Sequence, residues 1–232
     1  MKFLLQAPTS LGYWRKVIKI DMDSSKGKVY SVEDFHGFGL FCVDEGKLVC
    51  QSGPTNTYVV STPIGDMEII SCPRGLHSLQ QMALNDWNFA PSPGTTVTVK
   101  SQMFQDNGYT YKPAVLCVEW LQRYFAGDIS SLTSAPPACF SIYQAGTFTE
   151  TVWKTLQSKV PFGQVISYGA LAMLCGNPRA SRAVGAAMKK NQISLIMPCH
   201  RVIQTGGKLG NYHGGQKNKI KEWLLQHEGA EI

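Results

Sequence analysis

The proline-rich stretch 131–140, SLTSAPPACF, can continue neither a helix nor a central strand, and it separates two halves of unlike pattern. Ahead of it, short runs rich in Val, Ile, Phe and Tyr are broken by turn residues. FGLFCVDEGKLVC breaks around residues 44–46, and TYVVSTPIGDMEIISC breaks around 63–66. Such runs predict strands joined by hairpins. A proline-repeating loop, NFAPSPGTT (88–96), follows, and then a helix over 115–125 that Gly127 stops. Behind 140 the apolar spacing becomes helical. Segregated strands and helices predict an α/β chain of the α+β kind. We expect a β-rich N-terminal domain with its helix and an extension over 1–130, a linker over 131–146, and a helical domain over 147–232. Residues 1–45 carry no pattern that places them.

The second half is rich in helix punctuation. Thr147-Phe148-Thr149-Glu150 forms a capping box, and Phe148, Val152, Leu156 and Val160 then recur one turn apart until Pro161-Phe162-Gly163 stops them. Ser167 is expected to cap a short helix over 168–175, ended by Gly176. Asn177-Pro178 is expected to open the next helix, with Asn177 as cap. Two helices joined by so short a turn predict a helix-turn-helix of the winged-helix kind. The second of them, PRASRAVGAAMKKN, turns Val184 and Met188 inward and Arg182, Ala186 and Lys189 to another side. Its small residues suit either a neighbouring helix or a close-lying ligand.

Charge favours the latter. Residues 1–149 hold 11 Lys and Arg against 12 Asp and Glu, whereas residues 150–232 hold 11 against 4. A basic excess confined to the second half points to a polyanion-binding face there. No apolar run approaches the ~18 residues that would span a bilayer, and the opening MKFLLQAPTS has too short an apolar burst for a secretory signal. An intracellular chain is therefore expected. In that compartment the 7 cysteines read as thiols, metal ligands or a nucleophile.

One segment carries chemistry. ISLIMPCHRV (193–202) reads as a buried strand ending at Pro198, which presents Cys199 at the edge of the core beside His200. A thiolate is the competent nucleophile, and an adjacent imidazole can generate or orient it. Asn191 lies eight residues before the thiol. The glycine-rich loop QTGGKLGNYHGGQ (204–216) contains Tyr212 and lacks the GK[ST] of a P-loop. A last helix aligns Ile220, Trp223, Leu224 and His227. Glu228 then reads either as a solvated helix end or as the carboxylate of a Cys–His–carboxylate relay.

VISYGALAMLCGNPRASRAVGAAMKKN, IMPCHRV, GNYHGG and KEWLLQHEG together resemble the O6-alkylguanine-DNA alkyltransferases, or methylated-DNA–protein-cysteine methyltransferases. The resemblance runs from about residue 144 to 229. TPIGDMEIISCPRGLHSL (62–79) is similar, more weakly, to the N-terminal domain of the animal members. The resemblance implies a DNA repair protein that binds double-stranded DNA carrying O6-alkylguanine and flips the lesion out of the stack. The alkyl group, also from O4-alkylthymine, would pass irreversibly to Cys199 in a single turnover.

Each matching position then inherits a role. Arg182 would fill the hole left in the stack. Ala183 and Ala186 would lie in the minor groove. Tyr168 would help rotate the target and bond guanine N3. His200 would deprotonate Cys199 through a water, Glu228 would polarise His200, and Asn191 would hinge helix to active-site turn. Tyr212 would line the pocket, the His213 amide would donate to O6, and the carbonyls of Cys199 and Val202 would read the guanine amino group. No organic cofactor is implied.

A structural zinc is implied by Cys72 and His77, with Cys50 near a third ligand position and Cys139 where the family has a linker histidine. A monomer with no membrane and no obligate protein partner, working in the nucleus, completes the expectation. The chain departs from the animal pattern at Gln192-Ile193-Ser194, at His213, and by two extra residues between Gly215 and Lys221. Rival readings are a cysteine hydrolase that turns over, a non-catalytic lesion-binding module, which lacks the acceptor cysteine, and a helix-turn-helix transcription factor, which leaves PCHRV unexplained.

Overall fold

Alternation of apolar and polar residues builds the first half into sheet. The structure is a computed structural model that describes residues 42–44, 47–49, 54–82, 86–104, 110–128, 135–143 and 145–231. Within 1–53 the described backbone is a hairpin of β1 (Cys42–Asp44) and β2 (Lys47–Val49), paired Cys42 to Val49 and Asp44 to Lys47. Residues 54–232 form a separate unit. Here β3 (Asn56–Thr62), β4 (Gly65–Cys72), β5 (Gly75–Gln81) and β6 (Thr98–Phe104) make an antiparallel sheet in the order β5-β4-β3-β6. Thr62 closes the β3–β4 turn: its hydroxyl donates to Gly65 O at 2.6 Å and accepts from Ile64 N at 3.3 Å. Every second residue of β3 is buried, which gives the sheet one apolar face.

Helix α1 (Lys112–Phe125) covers that face. It starts three residues earlier than the periodicity predicts because Pro113 sits in its first turn, where a missing N–H breaks no helical bond. Ala114, Cys117, Leu121 and Tyr124 are fully buried along its inner stripe, and Gly127 at φ 72° ends it as expected.

The described part of the linker is not free chain. Leu76 N donates to Pro137 O and Cys139 N to Leu76 O, each at 2.8 Å, so this segment covers the edge of β5. Farther along the same edge Leu79 N donates to Gln192 O and Ser194 N to Leu79 O, each at 2.9 Å. The residues that lead to Cys199 are thereby tied to the sheet.

The second half is helical. Thr147 caps α2 (Phe148–Lys159) by accepting from Glu150 N, and Glu150 in turn accepts from Gly146 N at 2.7 Å. A short parallel pair, β7 (Ile166–Ser167) and β8 (Val202–Ile203), leads into α3 (Tyr168–Leu174), capped by Ser167. Helix α4 (Ser181–Lys189) begins later than expected, and Asn177 is not its cap. Ala180 N donates to Asn177 O at 3.0 Å, closing a turn with Pro178 at its second position. The fixed φ of proline suits that position as well as it suits a first helical turn, and the turn wins. Helix α5 (Asn218–His227) closes the unit.

The strand expected over 193–197 is also absent. Only Ile193 bridges to Leu79, after which Met197 N donates to Ile193 O at 2.9 Å and Leu195 takes φ 69°. An apolar run reports burial, and here a buried turn satisfies the backbone in place of a strand ladder. No helix among the described residues is long and apolar enough to cross a membrane.

Candidate active site

Pro198 delivers the chain into a single 3-10 turn, Cys199–Arg201, in which successive side chains diverge by roughly 120°. All three residues are buried. Asn191 fixes the first. Its Nδ2 donates to Cys199 Sγ at 3.0 Å and to Met197 O at 2.8 Å, while its Oδ1 accepts from Ile193 N at 2.9 Å. A primary amide, with two donor hydrogens beside an acceptor oxygen, can make all three bonds at once. The backbone of Asn191 is held too, since its carbonyl accepts from Gln80 Nε2 of β5 at 3.1 Å. The Tyr212 hydroxyl also acts on the sulfur, and Ser194 on that hydroxyl. Burial pushes the Cys199 thiol up, while the donors Asn191 and Tyr212 and the charge of Lys221 oppose that rise.

His200 and Arg201 diverge from Cys199 and meet on Glu228, at the end of α5. Glu228 Oε1 accepts from His200 Nε2 at 2.7 Å, Arg201 Nη2 at 3.0 Å and Tyr124 Oη at 2.6 Å. Its Oε2 accepts from Arg201 Nε at 2.7 Å and Gly163 N at 3.3 Å. Burial alone would raise this carboxyl. The charges and hydrogen bonds of His200 and Arg201 outweigh burial and hold it well below the usual carboxylate range.

Burial lowers the His200 imidazole against the pull of Glu228, so at neutral pH the ring is uncharged. Because the carboxylate must accept, Nε2 carries the hydrogen and Nδ1 keeps the lone pair. That Nδ1 is buried and has no hydrogen-bond partner among the described residues, which leaves it available as a base. Gly163 has to be glycine: at φ 78° a Cβ there would stand 2.9 Å from Glu228 O.

The remaining expected residues lie on α3, α4, β8 and the loop ahead of α5. Arg182, Ala183 and Ala186 are all exposed on the outer side of α4, whereas Val184 is buried and Met188 packs on the core. Tyr168 at the start of α3 is half-buried between α4 and the thiol: its ring lies 3.9 Å from where a Cβ on Gly185 would stand, and burial and the Cys199 charge raise its hydroxyl. Tyr212 is buried, with its amide donating to Asn218 Oδ1 at 2.9 Å. His213 is exposed at φ 46°, its ring edge-on to Tyr212 at 4.6 Å. The Val202 carbonyl already accepts from Lys221 Nζ at 2.7 Å, which leaves one lone pair for a ligand.

Arg201, Tyr124 and Lys221 carry no role in the sequence reading. Lys221 had a signal, since it stands between Ile220 and Leu224 on the buried side of α5. There it is fully buried, bonds Val202 O and Leu209 O, and is pulled down to about 8 by burial. Tyr124 had none, because nothing local links it to a carboxylate 104 residues away.

A second cluster lies where the linker meets β5. The ligand atoms of Cys72, His77 and Cys139 all fall within 4.8 Å of one another. Cys72 Sγ accepts from Arg74 N at 3.4 Å and Cys139 Sγ from Ser141 Oγ at 3.2 Å. Cys50, the remaining residue of the expected set, lies outside the described residues.

Comparison with known proteins bears on the whole arrangement. Residues 147–230 match the family described as 6-O-methylguanine DNA methyltransferase, DNA binding domain. The methylated-DNA–protein-cysteine methyltransferase of Rattus norvegicus is 39% identical over 173 residues, 74% of this chain and 80% of that protein. The Homo sapiens protein of the same name is 38% identical over 175 residues, 75% and 80% of the two chains. The crystal structure of Mycobacterium tuberculosis OGT in complex with DNA is similar with a TM-score of 0.54 at 30% identity, covering 74% of this chain and 91% of that one. A buried cysteine turn, a histidine–carboxylate pair and relatives that match most of their own length lead to one conclusion: the chain belongs to the methylated-DNA–protein-cysteine methyltransferase family.

Proposed function

We propose that this protein repairs double-stranded DNA by taking the alkyl group of O6-alkylguanine, and of O4-alkylthymine, onto Cys199. The observation that carries the reading is the buried Cys199 thiol, bonded by Asn191 at 3.0 Å and adjacent in the chain to a His200 held by Glu228 at 2.7 Å. His200 Nδ1 takes the thiol proton through a water, and Glu228 stabilises the imidazolium that results. The thiolate attacks the alkyl carbon in line with the C–O6 bond. As the S–C bond forms, the C–O6 bond breaks and its electrons pass to the guanine. Tyr168 at N3 and the His213 amide at O6 stabilise that charge. The Cys199 and Val202 carbonyls read the guanine amino group. The product thioether has no leaving group that these residues can expel, so each chain reacts once.

Access to the lesion requires the nucleotide to leave the stack. We assign the domain 147–232 to DNA, with α3 and α4 as a helix-turn-helix that lays the small outer side of α4, Ala183 and Ala186 included, in the minor groove. Arg182 fills the gap. The basic excess of residues 150–232 supports that assignment. The protein acts as a monomer without an obligate protein partner, and its substrate places it in the nucleus.

We also propose a structural zinc on Cys72, His77 and Cys139. Two thiols and one imidazole are a chemically fitting donor set, and His77 Nε2 is a buried atom without a hydrogen-bond partner among the described residues. Cys50 is the proposed remaining ligand. Bound there, zinc would tie the linker to the sheet and supply no chemistry at Cys199.

The test of the principal reading is incubation with duplex DNA bearing O6-methylguanine, followed by peptide mass mapping. Wild-type chain should carry a methyl on the Cys199 peptide, and Cys199→Ser should bind the same DNA and carry none. Methylation of the Cys199→Ser chain would refute the assignment.

A further inference from the structure

Tyr124 comes from α1, which packs on the sheet of the first half, yet its hydroxyl reaches the carboxylate that holds His200. It is fully buried, and the 2.6 Å bond to Glu228 Oε1 is as short as any contact of that carboxylate. Its ring is fixed on several sides. Trp120 stacks at 5.2 Å and 19°, while Phe125 and Phe162 meet it edge-on at 5.1 and 5.7 Å. His227 Nε2 donates to its backbone carbonyl at 2.9 Å. A phenol this constrained has one partner for its proton, and that partner is Glu228.

We infer that Tyr124 is a positioning residue of the reaction, setting the basicity of His200 by sharing Glu228 Oε1 with it. This rests on the reading of His200 as the base that deprotonates Cys199. The carboxylate is faced by His200 and Arg201 from the cysteine turn, Tyr124 from α1, the Gly163 amide ahead of β7 and Tyr212 from the glycine-rich loop, while His227 at the end of α5 packs on the Tyr124 ring. Lys221 acts electrostatically on both the imidazole and the Cys199 thiol. Arg201 fixes the carboxylate as an anion, and Tyr124 disperses part of that charge. Without the Tyr124 hydroxyl, Oε1 carries more charge toward His200 and favours imidazolium. The base would then be protonated, and useless, up to a higher pH.

The experiment measures the single-turnover rate of alkyl transfer against pH for wild-type and Tyr124→Phe chains, with folding checked by thermal melting. The acid limb should move to higher pH by about half a unit to one unit in Tyr124→Phe. A uniform loss of rate at every pH, or an unmoved limb, overturns the proposal and leaves alkyl transfer to Cys199 standing. If Tyr124→Phe does not fold, 3-fluorotyrosine introduced at position 124 replaces it. That phenol is the stronger donor and should move the limb to lower pH, so an unmoved limb there is equally decisive. A wild-type chain that acquires no alkyl group overturns both this proposal and the functional reading.

Discussion

At the scale of single residues, the site is organised by two side chains, the part-buried Asn191 and the buried Glu228, that each hold several partners at once. Asn191 bonds the thiol, Met197 O and Ile193 N through one amide. Asn191→Ala strands the two backbone groups and should cost about 2 kcal/mol, read from the urea midpoint. It also removes a donor that opposes the upward push of burial on Cys199. Labelling of Cys199 by iodoacetamide at fixed pH should therefore slow; unchanged labelling would show that Asn191 does not tune the thiol. Glu228→Gln poses a harsher problem. The amide nitrogen must face a donor, since His200, Arg201, Tyr124 and Gly163 all donate to the native carboxylate. Arg201 becomes a buried cation without its counter-charge. A destabilisation of about 3–5 kcal/mol is expected in denaturant unfolding, with loss of alkyl transfer. A variant as stable as wild type would contradict the burial of this network.

Elements carry the next set of consequences. On α4, Arg182→Ala should slow repair of duplex DNA by about tenfold or more and leave reaction with free O6-alkylguanine base much less affected, because only the duplex needs its gap filled. Equal losses on both substrates would move Arg182 out of the stack-filling role. At the sheet edge, a Cβ on Gly75 would meet Cys139 N at 2.5 Å and Pro137 O at 2.7 Å. Gly75→Ala should therefore separate the linker from β5, at a cost of about 1–3 kcal/mol in the urea midpoint. What sequence could and could not reveal divides along the same line. The Thr147 and Ser167 caps and the turn-flanked strands were legible, because each is a bond or spacing within a few residues. The start of α4 and the buried turn at 193–197 were not. In each, proline or an apolar run fits two local structures, and distant contacts with β5 or the core decide between them. Cys199, His200 and Glu228 could be named from sequence, whereas Tyr124, Arg201 and Lys221 needed the tertiary structure that brings them to the site.

For the molecule as a whole, the buried network couples stability to acid. The folded-state pKa of Glu228 lies below its unfolded value of about 4.3. The folded chain thus holds its proton less readily than the unfolded one. That stabilisation is complete above about pH 4.3 and is lost as the pH falls toward the folded pKa. Urea midpoints should drop below about pH 4.3 in wild type, and the drop should shrink in Glu228→Gln. A zinc on Cys72, His77 and Cys139 predicts a second global effect: about one metal per chain by elemental analysis, and a lower melting temperature after chelation. Cys72→Ser should lose that metal and still methylate Cys199. The central claim is the single irreversible transfer to Cys199, and titration of the protein with excess O6-methylguanine duplex, read by intact mass and peptide mapping, tests it most directly. One methyl per chain is expected, on the Cys199 peptide, after which the reaction stops. Repaired DNA in excess of protein, or a methyl on any other residue, would contradict it.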